Sequence, residues 1–248
     1  FNPDFDKPRF FIESNNGLKR TLRHREYKNI NKELHTSVRL LYRAIARGTD
    51  ARTIISCIVP PKSFSDHNVP LVLPKKDKLI VPSMEYYNII SYLAGIMNSF
   101  VFDYILRMRV TLYVGFFHIY QTPVPRNITN TLAKEIINLS ARLSSCDKRF
   151  ESFANAMDVN FTPLTTEKRI QLTAKLNALV AHHYNLKRDD YIHIINSFDG
   201  FYEDEGLKDM KITKWSDSIN RKFNGEVRKL VLLRYDDIAK NKLLGAGE

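Results

Sequence analysis

Apolar residues recur along this chain with two different periods, and the change falls near Pro123-Val-Pro125-Arg126. Ahead of that point the apolar runs are short, rich in β-branched and aromatic residues, and interrupted by proline. Segments 38–46 and 53–59 are predicted strands, joined through Arg47-Gly-Thr-Asp-Ala51, which has turn chemistry. Segments 69–74 and 78–82 are further short candidates around a polar Lys75-Lys-Asp77 turn, and their flanking prolines favour sheet edges or extended chain. Segment 110–120 reads as a strand pair, or one strand with a bulge near Gly115.

One stretch in this half breaks the rule. Residues 86–108 are long and rich in Leu, Ile and Met, which suits one or two buried helices broken near Asn98-Ser99. Asn88, Ser91, Asn98, Ser99 and Asp103 interrupt it, whereas a membrane span needs about 20 mostly apolar residues, so it is assigned to a core.

Beyond Pro125 the period becomes helical. Leu132, Ile136, Ile137, Leu139 and Leu143 mark a helix over 130–144. Ile170, Leu172, Leu176, Leu179 and Val180 mark another over 166–184, with Thr165 or Thr166 as cap. Asp189 or Asp190 is positioned to cap a shorter helix running through Ile194 and Phe198 to about Gly200. The pattern predicts an α+β fold. A mixed-sheet domain with a buried helix or helix pair occupies residues 1–125, and a mainly helical bracing or docking region follows over 126–248.

Composition narrows the class. With 248 residues, 44% hydrophobic and 26% charged, nine Gly and ten Pro, the chain is neither disordered nor collagenous. Cys57 and Cys146 are too few for a disulfide framework, which points to a reducing cytoplasm. The opening residues lack a signal-peptide pattern, and the missing initiator Met suggests a piece of something longer.

The formal charge is +11, and it is unevenly placed. Ten basic residues between Lys19 and Arg52, set against Glu26, Glu33 and Asp50, account for +7. Arg39, Arg43 and Arg47 would share one face at either strand or helix spacing, and such a row suits phosphate oxygens. Arg107 and Arg109 follow the apolar helix, and Lys62, Lys75 and Lys76 sit in proline-flanked loops, where binding residues concentrate. Tyr42, Tyr113, Phe116, Phe117 and Tyr120 interleave with these bases and are assigned mostly to the core.

Motifs for enzymatic chemistry are missing from the sequence. It contains no Cys-x-x-Cys, no His-x-x-x-His, no phosphate-binding Gly-x-x-x-x-Gly-Lys, no Gly-x-Gly-x-x-Gly and no Gly-x-Ser-x-Gly. His182 and His183 are adjacent on a predicted helix, so their side chains diverge by about 100° and cannot share a metal there. The expectation is a chain with no cofactor or metal of its own.

Three strings nevertheless look familiar in combination. They are Leu41-Tyr-Arg-Ala-Ile-Ala-Arg-Gly-Thr-Asp-Ala-Arg-Thr-Ile-Ile55, ending in Ile58-Val-Pro-Pro61; Leu93-Ala-Gly-Ile-Met-Asn-Ser-Phe-Val-Phe-Asp-Tyr-Ile-Leu-Arg107, followed by Gln121-Thr-Pro-Val-Pro125; and Leu176-Asn-Ala-Leu-Val-Ala-His-His-Tyr-Asn-Leu186, then Asp189-Asp-Tyr-Ile-His-Ile-Ile-Asn-Ser-Phe198. In order and spacing they resemble the C-terminal target-recognition region of type IIG restriction–modification enzymes and adenine-specific DNA methyltransferases. Residues 97–125 also resemble the end of a type I specificity-subunit recognition domain.

The resemblance implies a module that helps choose a double-stranded DNA sequence. It implies a bacterial, cytoplasmic parent that methylates adenine N6 from S-adenosylmethionine. In some members a nuclease that uses Mg²⁺ is attached. The family's catalytic Asn-Pro-Pro-Tyr/Phe is missing, and Asn2-Pro-Asp-Phe5 carries an acid in place of the second proline. Catalysis is therefore expected from a methyltransferase or nuclease domain of the same parent chain. Asn185 stands where the family usually has Gly, and Asn tolerates the left-handed conformation. On this reading Arg39, Arg43, Arg47 and Arg52 serve phosphates or scaffold, while Lys62, Lys75, Lys76, Arg107, Arg109 and Tyr113 are candidate base readers. The competing expectations are an interaction module for RNA or acidic protein, and a small Mg²⁺-dependent nuclease.

Overall fold

The computed structural model describes residues 13, 16, 17, 35–65, 67–72, 81–198 and 217–245. The fold is α+β, as the periodicity predicts. Its sheet is small and, among the described residues, wholly antiparallel rather than the mixed sheet expected, in the order β2-β1-β3, with β1 (Arg39–Tyr42) between β2 (Ser56–Val59) and β3 (Leu71–Val72). Arg39 pairs with Val59 and Tyr42 with Ser56, which sets Leu40 opposite Ile58 in the core.

Both leading strands are shorter than their apolar runs, for local reasons. The chain after Tyr42 turns away to bond elsewhere, with Ala44 donating to the Asn68 carbonyl and accepting from Val114. Thr53 and Ile54 leave the ladder because their amides point to a buried carboxylate, Asp103. The turn between the strands is held by Asp50, whose carboxylate accepts from the Arg47 amide at 3.1 Å. Segment 78–82 lies largely outside the described residues.

The long apolar stretch forms two helices, α1 (Met84–Met97) and α2 (Phe100–Arg107). Ser83 caps α1 and Ser99 caps α2, each hydroxyl accepting an amide three residues on. The pair bends by 66° at Asn98-Ser99, and most of it is buried. Among the described residues no single helix is long and apolar enough to cross a membrane.

Segment 110–120 is not a strand pair. It contributes a single bridge, Tyr113 to Ile45, and then coils into a short helix, α3 (Phe116–Tyr120), behind Gly115. Alternating Val110, Leu112 and Val114 imitate a strand, but only Val110 and Val114 are buried.

The second half is helical: α4 (Thr131–Ser144), a 3₁₀ turn (Lys148–Phe150), α5 (Glu151–Ala156), α6 (Thr166–His183), α7 (Arg188–Asn196) and α8 (Asp217–Gly245). Asn130 caps α4 and Thr165 caps α6. Lys187, not an aspartate, holds the cap position of α7. Asp189 and Asp190 lie in its first turn, where their charge favours the helix dipole, and the helix ends at Asn196, short of Gly200. Asn185 terminates α6 with φ 55°, the left-handed geometry expected of it, while Leu186 donates back to the Ala181 carbonyl.

One hydrophobic core runs across the Pro125 boundary. Leu40 and Ile58 from the sheet, Ile90, Ile96 and Phe100 from the bent pair, Ile136 and Leu179 from α4 and α6, and Val227, Val231 and Tyr235 from α8 belong to the same cluster. Close approach is built in at Gly95. A Cβ there would overlap Ser140 Oγ and meet Ile136 Cγ2 at 2.8 Å, so only glycine lets α1 press on α4.

Candidate nucleic-acid interface

The arginines between residues 39 and 109 divide into an interior set, a half-buried pair and an exposed set. Asp103, fully buried on α2, is the centre of the interior set. Arg52 Nε meets Asp103 Oδ2 at 3.0 Å, while Arg107 donates from Nε and a terminal nitrogen to Oδ1 at 2.8 and 2.6 Å. The Thr53 amide donates to Oδ2 at 3.1 Å. Arg52 also donates to the carbonyls of Asn98 and Ser99, satisfying the chain where α1 stops. Its guanidinium lies 4.9 Å from the Phe100 ring centroid, and that of Arg107 lies 4.2 Å from Phe198.

Arg107, offered by the sequence as a base reader, is therefore enclosed. Reaching a base edge would break a doubly hydrogen-bonded ion pair to a buried carboxylate, which costs about 3–5 kcal/mol. Arg107 also donates to the Gly48 carbonyl at 3.3 Å, fastening the 47–50 turn to the exit of α2. Gly48 permits this contact, since a Cβ there would meet the Arg107 carbonyl oxygen at 2.9 Å.

Arg39 and Arg43 are half-buried. Arg39 bonds the Ser63 hydroxyl and carbonyl, and Arg43 bonds Asp50 and the Arg52 carbonyl. The strand ends at Tyr42, so the expected row of Arg39, Arg43 and Arg47 is not carried along one element. Arg47 is exposed, beyond the bridge. Lys62 is also exposed, at a left-handed turn with φ 60° whose amide donates to the His35 carbonyl. Lys75 and Lys76 lie outside the described residues, as do residues 18–34, which carry much of the basic excess.

The exposed set centres on residues 108–121. Ala46 donates to the Leu112 carbonyl and Val114 to that of Ala44, so the turn bearing Arg47 packs beside this segment. Arg109 is exposed, and one of its terminal nitrogens donates to Thr122 Oγ1 at 2.8 Å, pinning the two ends of the segment together. Thr122 in turn donates to the His118 carbonyl, and His118 Nδ1 accepts the Gly115 amide at 3.1 Å. The result is a closed knob held by its own polar groups.

Its surface is aromatic. Tyr120 is 71% exposed, Phe117 58%, Tyr113 50% and Phe116 43%, so the assignment of most of these rings to the core is corrected. Tyr42 alone of the five is buried, and it props the knob from beneath, edge-on to Phe116 at 5.9 Å. Phe116 and Tyr120 stack nearly parallel, 19° apart, on one side of α3. Burial, then the neighbouring Tyr113 and Tyr120, hold the Tyr42 phenol above the ordinary tyrosine range, so it stays neutral under this face. Ile45, Met108 and Leu112 extend the exposed apolar area. The sequence signal was available: residues 104–134 carry Arg107, Arg109, Arg126 and Lys134 without one Asp or Glu.

A separate cavity of about 120 Å³ lies between β2, α1, α4, α6 and α8, lined by Ser56, Cys57, Asn98, Ser140 and Arg169 among others. It is well below the roughly 300–1,000 Å³ of sites for drug-sized ligands. His182 stacks on Tyr235, and His183 bonds the Tyr92 hydroxyl at 2.9 Å. No protein-family profile, no curated protein and no solved structure matches this chain.

Proposed function

We propose that this chain is a sequence-specific double-stranded DNA recognition module of a bacterial restriction–modification enzyme. The observation that carries the proposal is the knob face, where exposed Arg47 and Arg109 flank four exposed rings in a stretch free of carboxylates. A polyanion is the partner such a face favours. Phosphates would be met by Arg47 and by basic residues of the N-terminal stretch, setting register and salt dependence. Arg109, Tyr113 and Lys62 are exposed, and in this proposal they are the residues that read base edges.

The interior arginines serve this function indirectly. Arg52, Asp103 and Arg107 lock the strand turn to the bent helix pair, giving the recognition segments a rigid base. In this proposal adenine N6 methylation from S-adenosylmethionine, and any Mg²⁺-dependent cutting, belong to a methyltransferase or nuclease domain of the same parent chain. The module holds duplex while that domain extrudes its target base. The setting is the bacterial cytoplasm.

The decisive experiment is selection from a randomised duplex pool, followed by binding titrations over a salt series. Enrichment of one motif, with affinity falling steeply as salt rises, supports the proposal. Binding that ignores duplex sequence and prefers RNA overturns it in favour of an RNA module.

A further inference from the structure

Resting on that reading, we infer that the knob does more than rest against a groove: its aromatic tip enters the duplex and stacks on bases at a locally opened step. Three observations carry this. Phe117 and Tyr120 are more than half exposed, on a knob closed by its own hydrogen bonds and propped by the buried Tyr42 ring. Phe116 and Tyr120 already stack with each other, forming a platform of aromatic faces. Arg109 is bonded to Thr122 at the end of the knob and Arg47 lies on the turn paired with its Leu112–Val114 segment, and the only carboxylate of the 45–50 turn, Asp50, is taken by Arg43 and the Arg47 amide.

The chemistry of these side chains selects stacking over edge reading. Groove readout rests mainly on donors and acceptors matched to base edges, and a phenylalanine ring offers there only an apolar contact to a thymine methyl. Rings gain instead from π-faces, which every base possesses but which a stacked duplex conceals. A rigid apolar tip bordered by cations resolves the conflict as a wedge. It unstacks one step and replaces the lost base–base contact with a base–aromatic one, while Arg47 holds an adjacent phosphate. The same tip facing a protein would be expected to meet acidic groups, which makes a protein partner the competing outcome.

The test uses the full chain and the duplexes it enriches from a randomised pool. Permanganate, which oxidises unstacked thymines, and 2-aminopurine, which brightens on unstacking, report the opened step. The expected result is reactivity or fluorescence raised severalfold at one position of the bound duplex. Phe117→Ala/Tyr120→Ala should abolish that signal and weaken binding about five- to a hundredfold, with an unchanged melting temperature because both side chains are exposed. Tight, sequence-selective binding without any opened step overturns the wedge but leaves the recognition module standing. An opened step that persists in the double variant also overturns it. A chain that binds no duplex, but whose self-association or binding to an acidic protein is lost in the double variant, overturns both.

Discussion

Asn98, at the end of α1, accepts the Ser56 amide at Oδ1 and donates from Nδ2 to the Ser56 carbonyl, both at 2.9 Å. A side-chain amide thus does for the outer edge of β2 what a neighbouring strand would do. Hydrophobic substitution removes both partners and leaves two half-buried backbone groups without their protein partners. Asn98→Leu is expected to cost about 2–3 kcal/mol. Asn98→Asp should be at least as harmful at neutral pH, since its carboxylate would face the carbonyls that Nδ2 now serves. Urea titration of both variants measures this, and a loss under 0.5 kcal/mol would contradict the assignment.

Asp103 is the more exacting case, because two guanidinium groups depend on one carboxylate. Asp103→Ala should destabilise by about 3–5 kcal/mol, most of it the penalty of leaving Arg52 and Arg107 enclosed without a counter-charge. Adding Arg52→Met to that variant should recover part of the loss, whereas Arg52→Met alone should be destabilising. A double-mutant cycle in urea therefore returns a large coupling, and independent effects would show that the network is not a unit.

The helix break, the cap at Thr165 and the change of period at Pro125 were legible because each depends on near neighbours. Asn98-Ser99 reads as a break since both residues bond backbone more readily than they sit within a helix. The 29-residue helix α8 was not anticipated, although Val227, Val231 and Tyr235 recur at four-residue spacing and are buried. The knob was missed for a subtler reason. Apolar alternation from Val110 to Val114 and a dense aromatic run are the marks of a core strand, and nothing local says that Leu112 and Phe117 face outward. Arg107 and Arg109 look alike in sequence. Only Asp103, one helical turn before Arg107, separates their fates.

Both thiols should register in alkaline stability. Burial pushes the Cys57 thiol up to about 11, and burial with the adjacent Asp147 charge does the same for Cys146, against an ordinary value of 9.0. The folded state holds these protons more tightly than the unfolded chain. Their contribution is fully present below pH 9 and is lost as pH rises through 11. Unfolding free energy is expected to decline already between pH 9 and 10, ahead of the losses contributed by buried tyrosines. Cys57→Ala/Cys146→Ala should flatten that interval. A Cys-free variant with the same slope would assign the loss elsewhere.

Gly95 offers a steric test of the α1–α4 contact. Alanine is the better helix former by about 1 kcal/mol, so an open position would gain from the change. Here the new methyl would overlap Ser140 Oγ and Ile136 Cγ2, and Gly95→Ala should instead lose about 1–3 kcal/mol. Combining it with Ser140→Ala removes the nearer clash and should restore part of the loss, which thermal melts of the three variants can resolve.

Arg107 and Arg109 give the sharpest separation of scaffold from surface. Arg107→Ala breaks the pair to Asp103, so its melting temperature should fall markedly, and its effect on DNA binding should follow the unfolded fraction. Arg109→Ala should cost only about 0.5–1.5 kcal/mol, because the buried Thr122 hydroxyl keeps its bond to the His118 carbonyl and the Gln121 carbonyl is exposed. On selected duplexes it should lose about 1–3 kcal/mol of discrimination at one base position. Arg47→Ala, by contrast, should weaken all sequences alike and reduce the slope of log affinity against log salt by about 0.9. Parallel selections and salt titrations on the three variants distinguish these patterns. If Arg109→Ala left both preference and salt slope unchanged while Arg107→Ala altered preference in a fully folded protein, the assignments of the two residues would be reversed.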